Sequence, residues 1–505
     1  MGDMRKVFNL NSIQLSCFVI VFLLGLAIRT IVYFQNVSFF SDECALLSNF
    51  EEQSYFGLFF PIHHFQQGPP LFLIAGKFLY YNFGQNELVL RFLPYLSGCL
   101  SLFVFFFLVM KVLKSFWSRI FAFTLMAFSS QVIYFSQIYK QYTTEMLFSA
   151  LACLVIFSID TETFSRKMAV RLGILSALAF WVSYDMTFVV FGIAGVFCIK
   201  SLAEKKYDNF KNWLVFTSIA FVSFVIYFCI NLSGPFHSKV LEDYWAMAHG
   251  FFPFTKFQFM EMITFLFTGH IPSFKPLMIN LGLVAAFSSL IFLIGLLRLF
   301  VADRPKAFIL FVPILFTAIA GLLHLYPFAH RLLLFLFPQV FLIFAFSIEK
   351  TKFSNKLVGR IVAVLVVLHL FLSGSIKTGF YLLSGKYNFE VTGVRQYMAI
   401  LKNEKLKKED LVYFYAPVGN VHKYYNKKFK LLNDYQMVIE PWRAERESLN
   451  HLPSKRVIYF YLIDSLLVSE EENSWRMTWI KQNCDIQKII QTRDGVCIKC
   501  LKLRK

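Results

Sequence analysis

Long apolar runs dominate this chain of 505 residues. Stretches of about 20 residues with few charges recur along roughly three quarters of the sequence, and this is the length of a helix that crosses a bilayer. Only 16% of the residues are charged and 57% are hydrophobic, whereas a soluble protein carries about 25% charged residues. The sequence therefore predicts a polytopic α-helical membrane protein.

About eleven crossings are predicted from the lengths of the apolar runs. They lie at residues 13–34, 88–110, 117–136, 142–159, 168–184, 186–200, 212–233, 277–299, 307–325, 331–348 and 358–380. The apolar segment 71–83 follows Pro69-Pro70 and is too short to cross comfortably, so we predict a juxtamembrane helix in the outer interface. No small-residue cleavage site follows the first run, which indicates an uncleaved span rather than a signal peptide.

The orientation follows from the positive charges in the loops between these spans. Nineteen Lys and Arg residues fall in one alternate set of loops. The other set holds Lys140, Lys239, Lys256, Lys275 and Arg331. Cytoplasmic loops carry the excess of positive charge, so the N-terminus is predicted to be cytoplasmic and the C-terminus, after an odd number of spans, outside. Orientation in a bacterial inner membrane explains the net charge of +19 better than nucleic acid, which we do not expect as a partner.

The composition changes to a soluble type near residue 384. Segments 410–415, 456–461, 487–492 and 496–501 resemble strands, the last two joined by the hairpin signal Asp494-Gly495. We therefore predict two domains, a transmembrane module at 1–383 and an extracytoplasmic α/β domain at 384–505 that binds or orients an acceptor. The cysteines of this exported domain, Cys484, Cys497 and Cys500, permit one disulfide and leave one thiol over, and the pairing stays open.

Two adjacent acids, Asp42 and Glu43, directly follow the first span. Acids at that depth are costly unless they serve a function. Asp42 has the alternative of capping a loop helix at 43–53. The alternative role for Glu145 is a structural ion pair with Lys140. The alternative role for Arg331 is to extend its side chain to the lipid headgroups. The external ends of the spans supply a base, anion binders and walls for a cavity, which is the set of groups that catalysis requires.

A series of motifs follows this acid pair in a characteristic order. The segment from Gln67 to Phe72 has the sequence QGPPLF, and RFLPYLSG begins at Arg91. SQIYKQY ends at Tyr142, and YPFAHR ends at Arg331. In this order the chain resembles bacterial membrane glycosyltransferases of the GT-C superfamily, such as the protein O-mannosyltransferases and the lipid A aminoarabinose transferase. The chain departs from that pattern at Gly68, Lys140 and Glu145.

The resemblance implies a GT-C fold and an enzyme that takes a sugar from a polyprenyl-phosphate carrier. It places the catalytic acid at Asp42 and a second functional acid at Glu145, with Glu43 as a further catalytic candidate. Arg331, Lys140 and Arg91 are the candidates for binding the donor phosphate. The remaining pocket candidates are His63, His64, Gln67, Tyr139, Tyr142, Asp185, Tyr326 and His330.

One carboxylate suits an inverting displacement, in which it deprotonates the acceptor hydroxyl while the anomeric carbon is attacked. The expected partners are the polyprenyl-phosphate sugar, membrane lipid and an acceptor that is a lipid, a glycan or a protein. No cofactor is assigned, and a divalent metal at His63-His64 is left open. The alternatives are a transporter or flippase of a lipid-linked or anionic substrate, and a non-catalytic assembly protein. A transporter often shows repeated halves and broken helices near mid-membrane, and no repeat is found here.

Overall fold

The structure, a computed structural model, describes most of the chain. The described residues are 10–236, 238–247, 250–253, 255–268, 278–349, 393–404, 406–415, 419–431, 435–440, 446–454, 456–463, 470–492 and 495–503. They divide into two compact units. One unit takes in the described residues of Met1–Phe34 and Tyr55–Leu383, and the other those of Gln35–Ser54 and Ser384–Lys505.

The first unit is entirely helical in the part that the structure describes. Its helices are α1 (Ser12–Phe34), α3 (Pro70–Asn82), α4 (Glu87–Val112), α5 (Phe116–Phe128), α6 (Ser130–Phe135), α7 (Tyr142–Ser158), α8 (Arg166–Val182), α9 (Met186–Ala203), α10 (Tyr207–Tyr227), α11 (Ser233–Phe236), α12 (Lys239–Met247), α13 (Lys256–Thr268), α14 (Met278–Ala302), α15 (Arg304–Leu322) and α16 (Phe337–Phe346). A π-helical turn, Phe228–Leu232, extends α10, and a 3₁₀ helix, His330–Leu336, precedes α16.

Six helices of the described residues are long and apolar enough to cross a membrane. They are Ser12–Phe34, Glu87–Val112, Met186–Ala203, Tyr207–Leu232, Ala285–Ala302 and Arg304–Leu322. Shorter apolar helices at Phe116–Phe128, Tyr142–Ser158 and His330–Phe346 accompany them. The prediction of a polytopic helical membrane protein is thus confirmed, while the predicted span at 358–380 lies outside the described residues.

The segment predicted to lie in the interface forms α3, which has 13 residues. At 1.5 Å per residue it extends about 20 Å, less than the hydrocarbon thickness of about 30 Å. Pro70 is its first residue, where the missing N–H costs nothing because that group would have no partner within the helix.

The predicted span 117–136 is not continuous, because α5 ends at Phe128 and α6 begins at Ser130. The buried Arg29 of α1 accounts for this break. Its guanidinium donates to the carbonyl oxygens of Met126 and Ala127 at 2.9 and 2.7 Å. These carbonyls lie at the end of α5 and would otherwise be unpaired in an apolar interior. The break leads the chain into the segment that carries Tyr139, Lys140 and Tyr142.

The second unit has an α/β fold. Its elements are α2 (Ser41–Glu52), α17 (Val394–Asn403), β1 (Leu411–Tyr415), α18 (Gly419–Phe429), β2 (Gln436–Glu440), β3 (Val457–Ile463), α19 (Glu470–Asn483), β4 (Cys484–Gln491) and β5 (Gly495–Lys502). The strand order is β2-β1-β3-β5-β4. The β1 strand is parallel to β2 and β3, and β5 is antiparallel to β3 and β4.

Both faces of the sheet are buried, one through Ile458, Phe460 and Ile498 and the other through Phe414 and Tyr461, which pack on Tyr397 of α17. The β4–β5 pair forms the hairpin that the sequence predicted, although Asp494 lies outside the described residues. Strand β2 and helix α18 were not predicted. The three cysteines, all buried, are free thiols.

Candidate active site

The loop after the first span folds into α2, and the two adjacent acids occupy its first turn. Glu43 is fully buried, and its Oε2 accepts a hydrogen bond from the backbone N–H of Phe40 at 3.1 Å. This contact caps the helix. Asp42 is half-buried and lies inside the helix, since α2 starts at Ser41 after the N-cap residue Phe40. The capping role considered for Asp42 is therefore filled by Glu43.

The remaining candidates belong to the first unit, where α4 and α7 are fastened side by side. The Thr143 hydroxyl donates to the carbonyl oxygen of Pro94 at 2.9 Å, and the hydroxyls of Ser97 and Thr144 lie 2.9 Å apart. Gly98 permits a second close approach, because a Cβ at this position would collide with Ser136 Oγ. These contacts fix the first turn of α7, which presents Tyr142 and Glu145.

The Arg331 guanidinium lies between two aromatic rings. Its central carbon is 6.0 Å from the ring centre of Tyr142 and 5.6 Å from that of Trp245 on α12. Arg331 is half-buried, so its charge is partly desolvated. Contacts of this kind restrict the position of a guanidinium. A planar, oriented fork of donors is the geometry that binds phosphate.

The other two phosphate candidates are more deeply buried than Arg331. The Lys140 ammonium donates to Oε1 of Gln66 at 2.5 Å, and its residue is only 5% exposed. Arg91 is 3% exposed on α4, where its charge acts on the Tyr33 phenol of α1. Both cations are therefore held inside the unit by its own groups, whereas Arg331 has the greater exposure.

Two acids meet at the start of α7 and α9. Glu145 and Asp185 are each 1% exposed, and their carboxyls lie close enough to interact electrostatically. Tyr326 lies near Asp185, and its O–H donates to the carbonyl oxygen of Leu332 at 3.0 Å. Two buried acids that lie close together cannot both ionise readily. We infer that the pair holds a shared proton near neutral pH.

Amide and phenol groups surround the acid pair. The side-chain amide of Gln141 donates to the Tyr184 hydroxyl at 2.7 Å. Oε1 of Gln141, Oε1 of Glu145, both carboxyl oxygens of Asp185 and the Tyr227 hydroxyl are buried and make no hydrogen bond with any residue that the structure describes. Buried polar atoms usually have a partner, so this cluster, named here the acid cluster, has capacity to bind a proton, water or substrate.

The acid cluster makes stability depend on pH. Burial raises the pKa of Asp185 to about 7, and contacts with Tyr326 and Glu145 limit the rise. The unfolded carboxyl has a pKa of about 3.9, so between these values the folded state holds a proton that the unfolded state has lost. Stability should then fall as pH rises from about 4 to about 7.

We expect the melting temperature of the detergent-solubilised protein to fall between pH 4 and pH 7. Replacing Asp185 with Asn should remove much of this dependence, because the amide does not ionise. The control is Asp208→Asn, since the Asp208 side chain is 95% exposed. A pH dependence equally strong in Asp185→Asn would contradict the assignment.

The other predicted pocket residues are dispersed. Tyr139 is buried and stacks on Phe72 with ring centres 5.1 Å apart. His63 and His64 are exposed, with ring centres 6.3 Å apart. Gln67 is half-buried, and His330 is exposed beside Arg331. Among the described residues no group of three or more His, Cys, Asp or Glu side chains is arranged to hold a metal.

The first unit therefore brings Arg331 to Tyr142, Lys140 to Gln66, and Glu145 to Asp185 and Tyr326, whereas Asp42 and Glu43 belong to the second unit. Sequence reasoning missed Gln66, Gln141 and Tyr227. Gln66 and Gln141 lie within or next to the quoted motifs and were available as candidates. Tyr227 lies in a long apolar helix, and only the π-helical turn after it distinguishes its position.

Comparisons with known proteins give distant similarities. No family model and no curated protein matches the chain. ArnT from Cupriavidus metallidurans bound to undecaprenyl phosphate is 11% identical with a TM-score of 0.49, covering 96% of this chain and 97% of that one. The apo state of the same protein is 11% identical with a TM-score of 0.47, covering 94% of this chain and 97% of that one. A third similar structure is the Archaeoglobus fulgidus oligosaccharyltransferase AglB in complex with an inhibitory peptide and a dolichol-phosphate. It is 12% identical with a TM-score of 0.44, covering 89% of this chain and 69% of that one. Each TM-score is below 0.5, so the functional proposal rests on the residues of this chain.

Proposed function

We propose that this protein is a membrane glycosyltransferase of GT-C type. It transfers a sugar from a polyprenyl-phosphate-linked donor to an acceptor at the outer face of the bacterial inner membrane. The observation that carries the proposal is the half-buried Arg331 guanidinium framed by Tyr142 and Trp245. This arrangement suits a phosphate whose lipid tail lies among apolar helices.

In the proposed reaction Asp42 accepts the proton of the acceptor hydroxyl as its oxygen bonds to the anomeric carbon. The bond between that carbon and the phosphate oxygen breaks, and its electron pair leaves with the polyprenyl phosphate. A single displacement inverts the anomeric centre. Arg331, with Lys140 and Arg91 as further cations, stabilises the negative charge on the leaving phosphate. No step is assigned to a metal.

Glu145 and Asp185 are proposed to act beside the donor rather than as the base. The carboxyls interact with each other, and a protonated carboxyl can donate a hydrogen bond where a carboxylate would repel the phosphate. Glu145 lies in the first turn of α7, and Asp185 lies directly before α9. Both polar groups are therefore at helix ends. A transporter is expected to place them nearer mid-span in broken helices.

The alternative, a transporter or flippase of the same lipid-linked substrate, draws on the acid cluster, because buried acids within membrane proteins also mark proton pathways. Proteoliposomes loaded with a polyprenyl-phosphate sugar labelled in the sugar separate these functions. A glycosyltransferase releases polyprenyl phosphate and forms a product of inverted configuration when acceptor is added. Movement of intact donor between leaflets without cleavage of the sugar–phosphate bond would overturn the proposal.

A further inference from the structure

The loop that carries Asp42 belongs to the same compact unit as the C-terminal domain. Gln35–Ser54 and the described residues after 384 form this unit together, although they lie at opposite ends of the sequence. Within it α2 packs against α18. Leu46, Leu47 and Phe50 of α2 are fully buried, so this helix is an integral part of the domain's interior.

Arg395 of α17 fixes the start of the loop. Its guanidinium donates to the carbonyl oxygen of Asn36 at 2.6 Å and to Oδ1 of the same residue at 3.4 Å. Its backbone N–H donates to Ser38 Oγ at 3.1 Å. Three bonds from one residue thus determine the path of the chain as it leaves the first span.

Tyr425 of α18 fixes the residues directly before α2. The backbone N–H of Phe39 donates to the Tyr425 hydroxyl at 2.8 Å, and both residues are fully buried. The Phe39 ring also meets the edge of Tyr424 with ring centres 5.5 Å apart. A buried backbone N–H needs such a partner, because leaving it unpaired is costly.

Further contacts lie on both sides of Asp42. Nδ2 of Asn420 donates to Ser41 Oγ at 3.3 Å, one residue before Asp42. Lys427 pairs with Glu51 in the last turn of α2. Asp42 is thus bracketed in sequence by Phe39, Ser41 and Glu51, which have these partners on α18, and by Asn36 and Ser38, which have Arg395 of α17. A base must be held within a few tenths of an ångström of its productive position, which requires support of this kind.

We propose that the C-terminal domain positions the catalytic base, with Tyr425 and Arg395 as positioning residues that act through Asp42. This inference rests on the proposed function. It gives the domain a task in the chemical step itself, whichever acceptor is used. The domain and the loop would accordingly retain or lose catalytic competence together.

The test measures sugar transfer by purified full-length protein in proteoliposomes, with a polyprenyl-phosphate sugar as the donor. Tyr425→Phe and Arg395→Met should each lower kcat by about tenfold or more, with the KM for donor unchanged. Asn420→Ala, which removes an exposed hydrogen bond, should fold normally and lower kcat by a smaller factor. The matched control is Tyr397→Phe, since the Tyr397 hydroxyl donates to the carbonyl oxygen of Tyr459 on β3 of the domain, at 3.1 Å.

A double-mutant comparison shows whether these residues act through Asp42. In an Asp42→Asn background, Tyr425→Phe and Arg395→Met should not reduce the residual rate further. If Asp42→Asn retains full transfer, the proposed function fails. If Asp42→Asn is impaired, the proposed function stands, and the positioning role is judged from Tyr425→Phe and Arg395→Met. That role is overturned if these two variants keep the wild-type kcat or the kcat of Tyr397→Phe. It is also overturned if they lower the rate by the same factor in both backgrounds.

Discussion

Replacing Asp42 with Asn is expected to lower the rate of sugar transfer by about 10²–10⁴-fold, the usual contribution of a general base. The amide has nearly the shape of the carboxylate but cannot accept the proton of the acceptor hydroxyl. Because Asp42 is half-buried and Glu43 makes the helix cap, the variant should fold and bind donor normally. Transfer is measured at saturating donor, alongside melting temperature and donor affinity.

The matched control for this variant is Glu52→Gln. Glu52 is an exposed residue of the same helix, so its substitution makes the same change from acid to amide without touching the proposed base. We expect transfer near the wild-type rate. Asp42→Asn with transfer equal to that of Glu52→Gln would refute the assignment of Asp42 as the base.

Replacing Arg331 with Gln is expected to weaken binding of polyprenyl phosphate by about 10- to 100-fold. A hydrogen bond to a charged group contributes about 1.5–3 kcal/mol, and each 1.4 kcal/mol corresponds to about a factor of ten in the dissociation constant. Arg331→Lys should recover only part of the affinity, because the ammonium keeps the charge but lacks the planar fork of donors. Binding of the lipid to protein in nanodiscs measures the effect.

Arg166→Gln serves as the control for Arg331. Arg166 is an exposed cation at the first position of α8, in a loop predicted to face the cytoplasm, so its removal changes the net charge equally. Equal loss of affinity in Arg166→Gln and Arg331→Gln would indicate general attraction to anionic lipid rather than a phosphate site. An unchanged dissociation constant for Arg331→Gln would remove the main support for the proposed function.

Deleting the residues after Gly385 tests the C-terminal domain as a whole. If the domain only bound or oriented the acceptor, as the sequence predicts, its deletion would change acceptor choice or affinity more than donor hydrolysis. The bonds from Arg395 and Tyr425 to the Asp42 loop change this expectation, because the deletion also removes the partners of that loop. We now expect donor hydrolysis and transfer to fall together.

Much of the fold was predictable because its signals are local. The length of an apolar run determines whether a helix spans a bilayer, so α1 begins and ends within about one residue of its predicted bounds. Pro70 marked the start of α3, and Asp494-Gly495 marked the β4–β5 hairpin. The break at Ser129 escaped prediction because its cause, the buried Arg29, lies on another helix.

The candidate site was predictable as a set of residue types but not as an arrangement. A lone Glu145 or Asp185 carries no sign in the sequence that the two carboxyls meet. The phenol of Tyr227 and the amide of Gln141 joined the acid cluster only when α7 and α10 were in place. Strand β2 and helix α18 were missed for a related reason, since their short segments acquire stability from neighbours rather than from their own pattern.

The sequence by itself determined that this is a multi-pass helical membrane protein with a C-terminal α/β domain, since burial of apolar runs in lipid depends on composition and length alone. The tertiary structure decided which polar groups meet. It joined the Asp42 helix to α17 and α18, and it paired Glu145 with Asp185. Contacts between residues hundreds of positions apart depend on the folded path of the chain, and no local pattern records them.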